Sequence, residues 1–193
     1  MKRRWFASSG THGDQRKERS MRRKVLVTGA AVAAALGVAS AAVAAVIVGT
    51  PGPDLLNGTA VGDQIYGKGG NDTINGLAGG DLIRGDGDND AVWGNEGNDT
   101  LGGGPGDDRL HGNADNDTLY GDGGNDRMGG GNGRDALYGG QGDDVLFSRA
   151  DDRIGDYLNC GPGYDQAYIR ANDVAVGCEV VNVVTSGDDD SSV

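Results

Sequence analysis

The sequence predicts an all-β solenoid of stacked short strands, and three observations carry that prediction. A nine-residue pattern returns in unbroken register from Gly49 to Phe147. Each copy holds one aliphatic residue or Met at a fixed place, enough for a narrow core shared between stacked copies. Glycine supplies 38 of the 193 residues while aromatic residues make up only 5%, too little bulk for an ordinary two-layer core. The glycine lacks collagen's three-residue period and is not scattered as in a linker.

In chain order, the first element is an address. Residues 25–48, VLVTGAAVAAALGVASAAVAAVIV, form an apolar run preceded by the basic MRRK and containing the small-residue stretch AVAA at 42–45. That order of basic, apolar and small residues predicts a secretory leader over residues 1–45, cleaved after Ala44 or Ala45. Its start is Met1 or Met21, and paired arginines at 3–4 and 22–23 admit a twin-arginine route. The alternative is an uncleaved membrane anchor, since 24 residues suffice to span a bilayer. Both readings place the remainder outside the cell.

The basic leader also masks how acidic the remainder of the chain is. Residues 1–45 carry nine Lys/Arg and two acids (+7), and residues 46–193 carry eight and 27 (−19), together the net −12. A surface so acidic repels nucleic acid and attracts cations.

The second element is the repeat domain, residues 46–147, with eleven nonapeptides counted from Gly49. Position one is always Gly and position four is Gly in eight copies. Glycines at these two places are expected to supply φ > 0 for sharp turns. Position eight is aliphatic or Met, as in Leu56, Ile65, Ile74 and Met128, and is expected to point inward from a three-residue extended segment. Position six is always Asp: Asp54, Asp63, Asp72, Asp81, Asp90, Asp99, Asp108, Asp117, Asp126, Asp135 and Asp144. Carboxylates stacked at a strand spacing of about 4.8 Å repel one another. Only five Lys/Arg fall between Gly49 and Phe147 to offset them. A hard divalent cation with carboxylate and carbonyl ligands fits this need, and calcium tolerates it best. Transition metals want His or Cys, and the repeats offer only His111.

The pattern G-x-x-G-x-D-x-U-x resembles the RTX (hemolysin-type) calcium-binding repeat G-G-x-G-x-D-x-U-x. The resemblance implies a right-handed parallel β-roll, with two nonapeptides per turn and calcium between successive turns along each edge. It makes the eleven Asp residues the side-chain ligands, with turn carbonyls completing up to about nine sites. The sequence departs from the pattern at position two, which is Gly only at 104, 131 and 140. The opening copies, GTPGPDLLN and GTAVGDQIY, depart furthest, with Val61 at position four.

The third element, residues 148–184, begins with a three-residue slip at Ser148, Arg149 and Ala150. Degenerate repeats DDRIGDYLN and CGPGYDQAY then extend the ligand row to Asp156 and Asp165. The apolar stretch VAVGCEVVNVV (174–184) reads as the cap an open solenoid end requires, like the tails of exported actinobacterial proteins with such repeats. Cys160 and Cys178, the only cysteines in an exported chain, are expected to form a disulfide. Residues 185–193 read as a disordered acidic tail.

No catalytic constellation can be assembled: His111 stands alone in the repeats, and carboxylates in register have a structural task. A threonine ladder for ice binding fails too, since Thr73, Thr100 and Thr118 fall on repeats three, six and eight. Position nine places Tyr66, Tyr120 and Tyr138 on one expected face and Trp93 and Phe147 on the other. The sequence thus predicts a secreted, non-catalytic calcium-binding protein with a structural, adhesive or buffering role. A cell-surface, polysaccharide or protein partner stays open, as does the anchored alternative of an accessory module or surface adhesin.

Overall fold

The computed structural model describes residues 26–27, 43–148 and 154–185. Most of the expected leader and the acidic tail beyond residue 185 lie outside them. The described strands begin with β1 (Leu26–Val27), β2 (Val46–Val48), β3 (Leu55–Asn57), β4 (Gln64–Gly69), β5 (Thr73–Ala78) and β6 (Leu82–Gly87). They continue with β7 (Ala91–Glu96), β8 (Thr100–Pro105), β9 (Arg109–Ala114), β10 (Thr118–Gly123), β11 (Arg127–Asn132) and β12 (Ala136–Gln141). The last are β13 (Val145–Phe147), β14 (Tyr157–Asn159), β15 (Gln166–Ile169), β16 (Val174–Val176) and β17 (Val180–Val183).

Alternation builds two sheets. Even-numbered strands stack as β2-β4-β6-β8-β10-β12-β14-β16, and odd-numbered ones as β3-β5-β7-β9-β11-β13-β15-β17. All these pairings are parallel; only β1 joins antiparallel, on β2. The result is a parallel β-solenoid of about seven turns, consistent with a β-roll. Two nonapeptides make one turn, so each Asp meets the Asp 18 residues away.

The core is one side chain deep. From Leu56 through Leu146, every position-eight residue is fully buried, and Leu158 and Ala167 continue the row. Neighbouring residues at positions seven and nine point outward, the period-two consequence of extended backbone. Burial here is narrow and continuous, so each turn depends on its neighbours for a dry core.

Two expectations about the turns need correction. The extended segments from β4 to β12 run six residues, not three, from position seven through position three of the next copy. Ladder pairing continues past the bend because positions two and three still face their equivalents, as Asn95 faces Asn113. Positive φ falls on positions two and four, not one and four. At position two it is carried by Lys68, Leu77, Asp86, Asn95, Asn113 and Asp122, and at position four by Asp88 and Asp115. Asn and Asp tolerate that region best among residues with a side chain, whereas Leu77 at φ 83° is strained.

Beyond Phe147 the step between equivalent residues becomes 21, the slip read from the sequence. The final steps shorten to 17 and 14 as the roll runs out of glycine turns. The disulfide joins Cys160 to Cys178 and ties the final strands to the last turn.

Candidate metal centre

The position-six aspartates form two ladders, one along each edge of the roll. One runs Asp54, Asp72, Asp90, Asp108, Asp126, Asp144 and Asp165. The other runs Asp63, Asp81, Asp99, Asp117, Asp135 and Asp156. In each, the backbone N–H of one Asp donates to Oδ1 of the Asp on the next turn, at 2.7–2.9 Å. All thirteen are buried or nearly so. The structure therefore places every sequence-predicted ligand in two rows, with one carboxylate oxygen of each ladder Asp from Asp63 onward engaged by backbone.

The other oxygen distinguishes the turns. Among the described residues, Oδ2 of Asp81, Asp90, Asp99, Asp108, Asp117, Asp126, Asp144 and Asp165 is buried with no hydrogen-bond partner. A buried carboxylate oxygen without a partner costs several kcal/mol unless a charge compensates it. In the first two copies, which make up the first turn, it is engaged. Asp54 Oδ2 accepts from the Thr50 N–H and hydroxyl, and Asp63 Oδ2 accepts from the Thr59 N–H.

Position one explains what faces these oxygens. A Cβ on Gly112 would overlap both Asp117 Oδ2 and the Gly130 carbonyl oxygen of the next turn. Gly76 meets Asp81 Oδ2 and the Gly94 carbonyl in the same way. Position one is glycine for space rather than for torsion: its missing side chain leaves a cradle where a carboxylate and a carbonyl oxygen converge. Among the described residues, no three carboxylate, imidazole or thiol groups cluster to hold a metal. A cation here takes mixed carboxylate and carbonyl oxygens, the donor set that calcium accepts, whereas zinc is held mainly by thiolate and imidazole. The residues fit the ion.

Burial raises the carboxyl pKa values from the ordinary 3.8, with the ladder N–H opposing it and nearby carboxylates adding to it. Asp117 is pushed up to about 8. Asp90, Asp99 and Asp126 reach about 7, and Asp81, Asp108 and Asp144 about 6. Because the folded values are raised, these groups favour the metal-free fold below pH about 4, and that support is lost as pH rises through 6–8. Calcium must displace the same protons. Chelated protein should therefore hold more β-structure at pH 4.5 than at pH 8, and the calcium midpoint should fall between pH 6 and pH 8. Circular dichroism titrations at three pH values check both.

Sequence reasoning missed three parts of the site. Asp173 and Glu179 end the two ladders, accepting from the N–H of Asp156 and Asp165. Both sit in x-acid-x-aliphatic-x pentapeptides, NDVAV and CEVVN, a signal readable without the glycines. Asn and Asp at position five form an outer ladder of opposite sense, in which Asn89 Oδ1 accepts from Asp107 N and Asn125 Oδ1 from Asp143 N. His111 stacks on Trp93 at 5.8 Å, and burial with Arg127 and Arg109 nearby lowers its pKa, so it stands apart from the ladders.

The family model of the RTX calcium-binding nonapeptide repeat matches this chain in four copies, over residues 46–72, 66–101, 102–137 and 128–154. No curated protein matches it.

Proposed function

The chain belongs to the RTX calcium-binding nonapeptide repeat family, and on that premise we propose that it is an exported, non-catalytic protein whose roll is ordered by calcium along both edges. Calcium binding by a structural repeat comes with the family. One observation carries the finer reading: the rows of buried Asp Oδ2 atoms with no protein donor. When bound, calcium supplies the positive charge that lets these carboxylates ionise inside the fold. Asp72 through Asp144 hold it together with position-one carbonyls, while the ladder N–H groups fix each carboxylate's orientation. Asp156 and Asp165 continue the two rows beyond this ion-holding stretch, in copies that begin with Asp151 and Cys160 instead of glycine.

The threonine-engaged oxygens of Asp54 and Asp63 set the first turn apart as a start that needs no ion. Counting one ion between each pair of successive Asp on an edge then gives four from Asp72 to Asp144 and three from Asp81 to Asp135. That is about seven, against the nine that all eleven repeats would allow. Native mass spectrometry of the calcium-loaded protein should find about seven ions. One or two ions would refute the stacked arrangement.

Export is supported by the disulfide, which persists in oxidising compartments, and by the millimolar calcium found there. The N–H of Ala45 donates to Asp63 Oδ1. Cleavage after Ala44 would set a new ammonium group on that carboxylate, completing the ladder's first rung with a charge. The anchored alternative draws on the pairing of Leu26–Val27 with β2, which retains the leader on the roll. Among the described residues no helix is long and apolar enough to cross a membrane. The intact mass of the exported protein separates the two: a chain beginning at Ala45 supports cleavage.

A further inference from the structure

The two flat faces of the roll differ from its edges in charge. On the even-numbered sheet, positions seven and nine from Gln64 to Tyr138 contribute no acid and a single base, Arg84. The acids of these strands, Asp86 and Asp122, stand at position two, past the bend. In a protein this acidic, a flat face whose carboxylates stand only along its margin is open to neutral ligands, and the surrounding edges still repel polyanions.

Along that face the position-nine row reads Tyr66, Arg84, Gly102, Tyr120, Tyr138, each residue paired with the next across one strand spacing. Tyr120 and Tyr138 stack at 5.0 Å with rings 9° apart. One face of the Tyr120 ring is thereby covered. Its other face looks toward Gly102, where the row has no side chain, and Tyr120 stays 40% exposed. The missing rung opens a cleft of about 470 Å³ between Tyr120 and Arg84, within the size range of small-ligand sites. Asp86, Asp122 and Thr100 also line it. The Asp122 Oδ2 and the Arg84 Cγ each stand 3.9 Å from where a Cβ of Gly102 would sit.

We propose that this cleft is a binding site for a pyranose unit of a neutral polysaccharide, which takes the rung that Gly102 leaves out. Tyr120 offers a bare ring face for the apolar side of the sugar, stacked as Tyr138 is on its other side. The Arg84 guanidinium donates to hydroxyl oxygens, and Asp86 and Asp122 accept from hydroxyl groups. Two carboxylates beside one guanidinium disfavour uronic acids and sulfated sugars. The site is independent of the calcium ladders, although the roll must be folded to form it.

The test uses the full chain saturated with calcium, titrated calorimetrically with cellohexaose, chitohexaose and, as the polyanion, oligogalacturonate. At least one neutral oligosaccharide should bind with a Kd of about 0.1–1 mM, and oligogalacturonate should not. Gly102→Tyr fills the cleft without strain, because no atom lies closer than 3.9 Å to the added Cβ and Tyr occupies the next rung. Gly102→Tyr and Tyr120→Ala should each weaken binding at least about tenfold while the calcium midpoint stays unchanged. Trp93→Ala, on the opposite sheet, should leave sugar affinity alone. No binding of either neutral sugar at about 10 mM, preference for oligogalacturonate, or equal affinity in Gly102→Tyr would each overturn the proposal.

Discussion

Gly112→Ala should raise the calcium midpoint for folding at least about tenfold and broaden the transition. Gly123→Ala, eleven residues on, should change neither. The new Cβ at Gly112 has nowhere to go: it would overlap Asp117 Oδ2 and the Gly130 carbonyl oxygen, both held in the stack. Moving them disturbs the two oxygens that converge on the cation, so packing and ligation fail together. Overpacking of this kind costs about 1–3 kcal/mol even where no ion is involved. Gly123 is the matched control, with nothing within 4 Å of an added Cβ and no positive φ. Equal midpoints for the two variants would mean that position one is not a cradle.

Asp99→Asn should raise the calcium midpoint several-fold and lower its cooperativity, far more than Asp54→Asn does. The amide keeps the Oδ1 that accepts the Asp81 N–H, so the ladder bond survives. It replaces the partnerless Oδ2 with an N–H donor aimed into the cradle and removes a charge from an oxygen-ligand cluster. Asp99 also lies mid-stack, where a break separates two shorter solenoids, whereas a terminal break only frays. Asp54 sits in the first turn with its Oδ2 already bonded by Thr50, away from any cation. Parallel circular dichroism titrations decide it, and coincident midpoints would contradict the assignment of ligands.

Both variants probe features that the sequence alone leaves undetermined. The period located the position-eight core row and both rows of aspartates up to Asp165, because stacking forces side chains of one task into one register. It could not say what a glycine is for. Gly112 is required for space and Gly124 for its φ of 125°, yet the letters are the same. Asp86, Asp88, Asp115 and Asp122 stand at positive φ where the pattern has glycine, which composition alone reads as four more acids. Thr50 and Thr59 stand at position two of the opening copies, those that depart furthest from the pattern. In the fold they hold the two carboxylates of the first turn. Asp173 and Glu179 escaped notice because their pentapeptides have lost the glycines that made the other copies visible. The gap at Gly102 is a property of three stacked strands and has no counterpart in any single repeat.

On the proposed function, calcium is part of the fold. One buried aliphatic side chain for every nine ordered residues gives the chain little to set against its conformational entropy, and rows of buried carboxylates oppose it further at neutral pH. Far-ultraviolet circular dichroism at pH 7.5, recorded in chelator and then through a calcium titration, tests this most directly. A largely disordered spectrum that turns β-rich in one cooperative step at roughly 0.1–1 mM calcium is the predicted result. A β-rich spectrum that is the same in chelator and in calcium would contradict it.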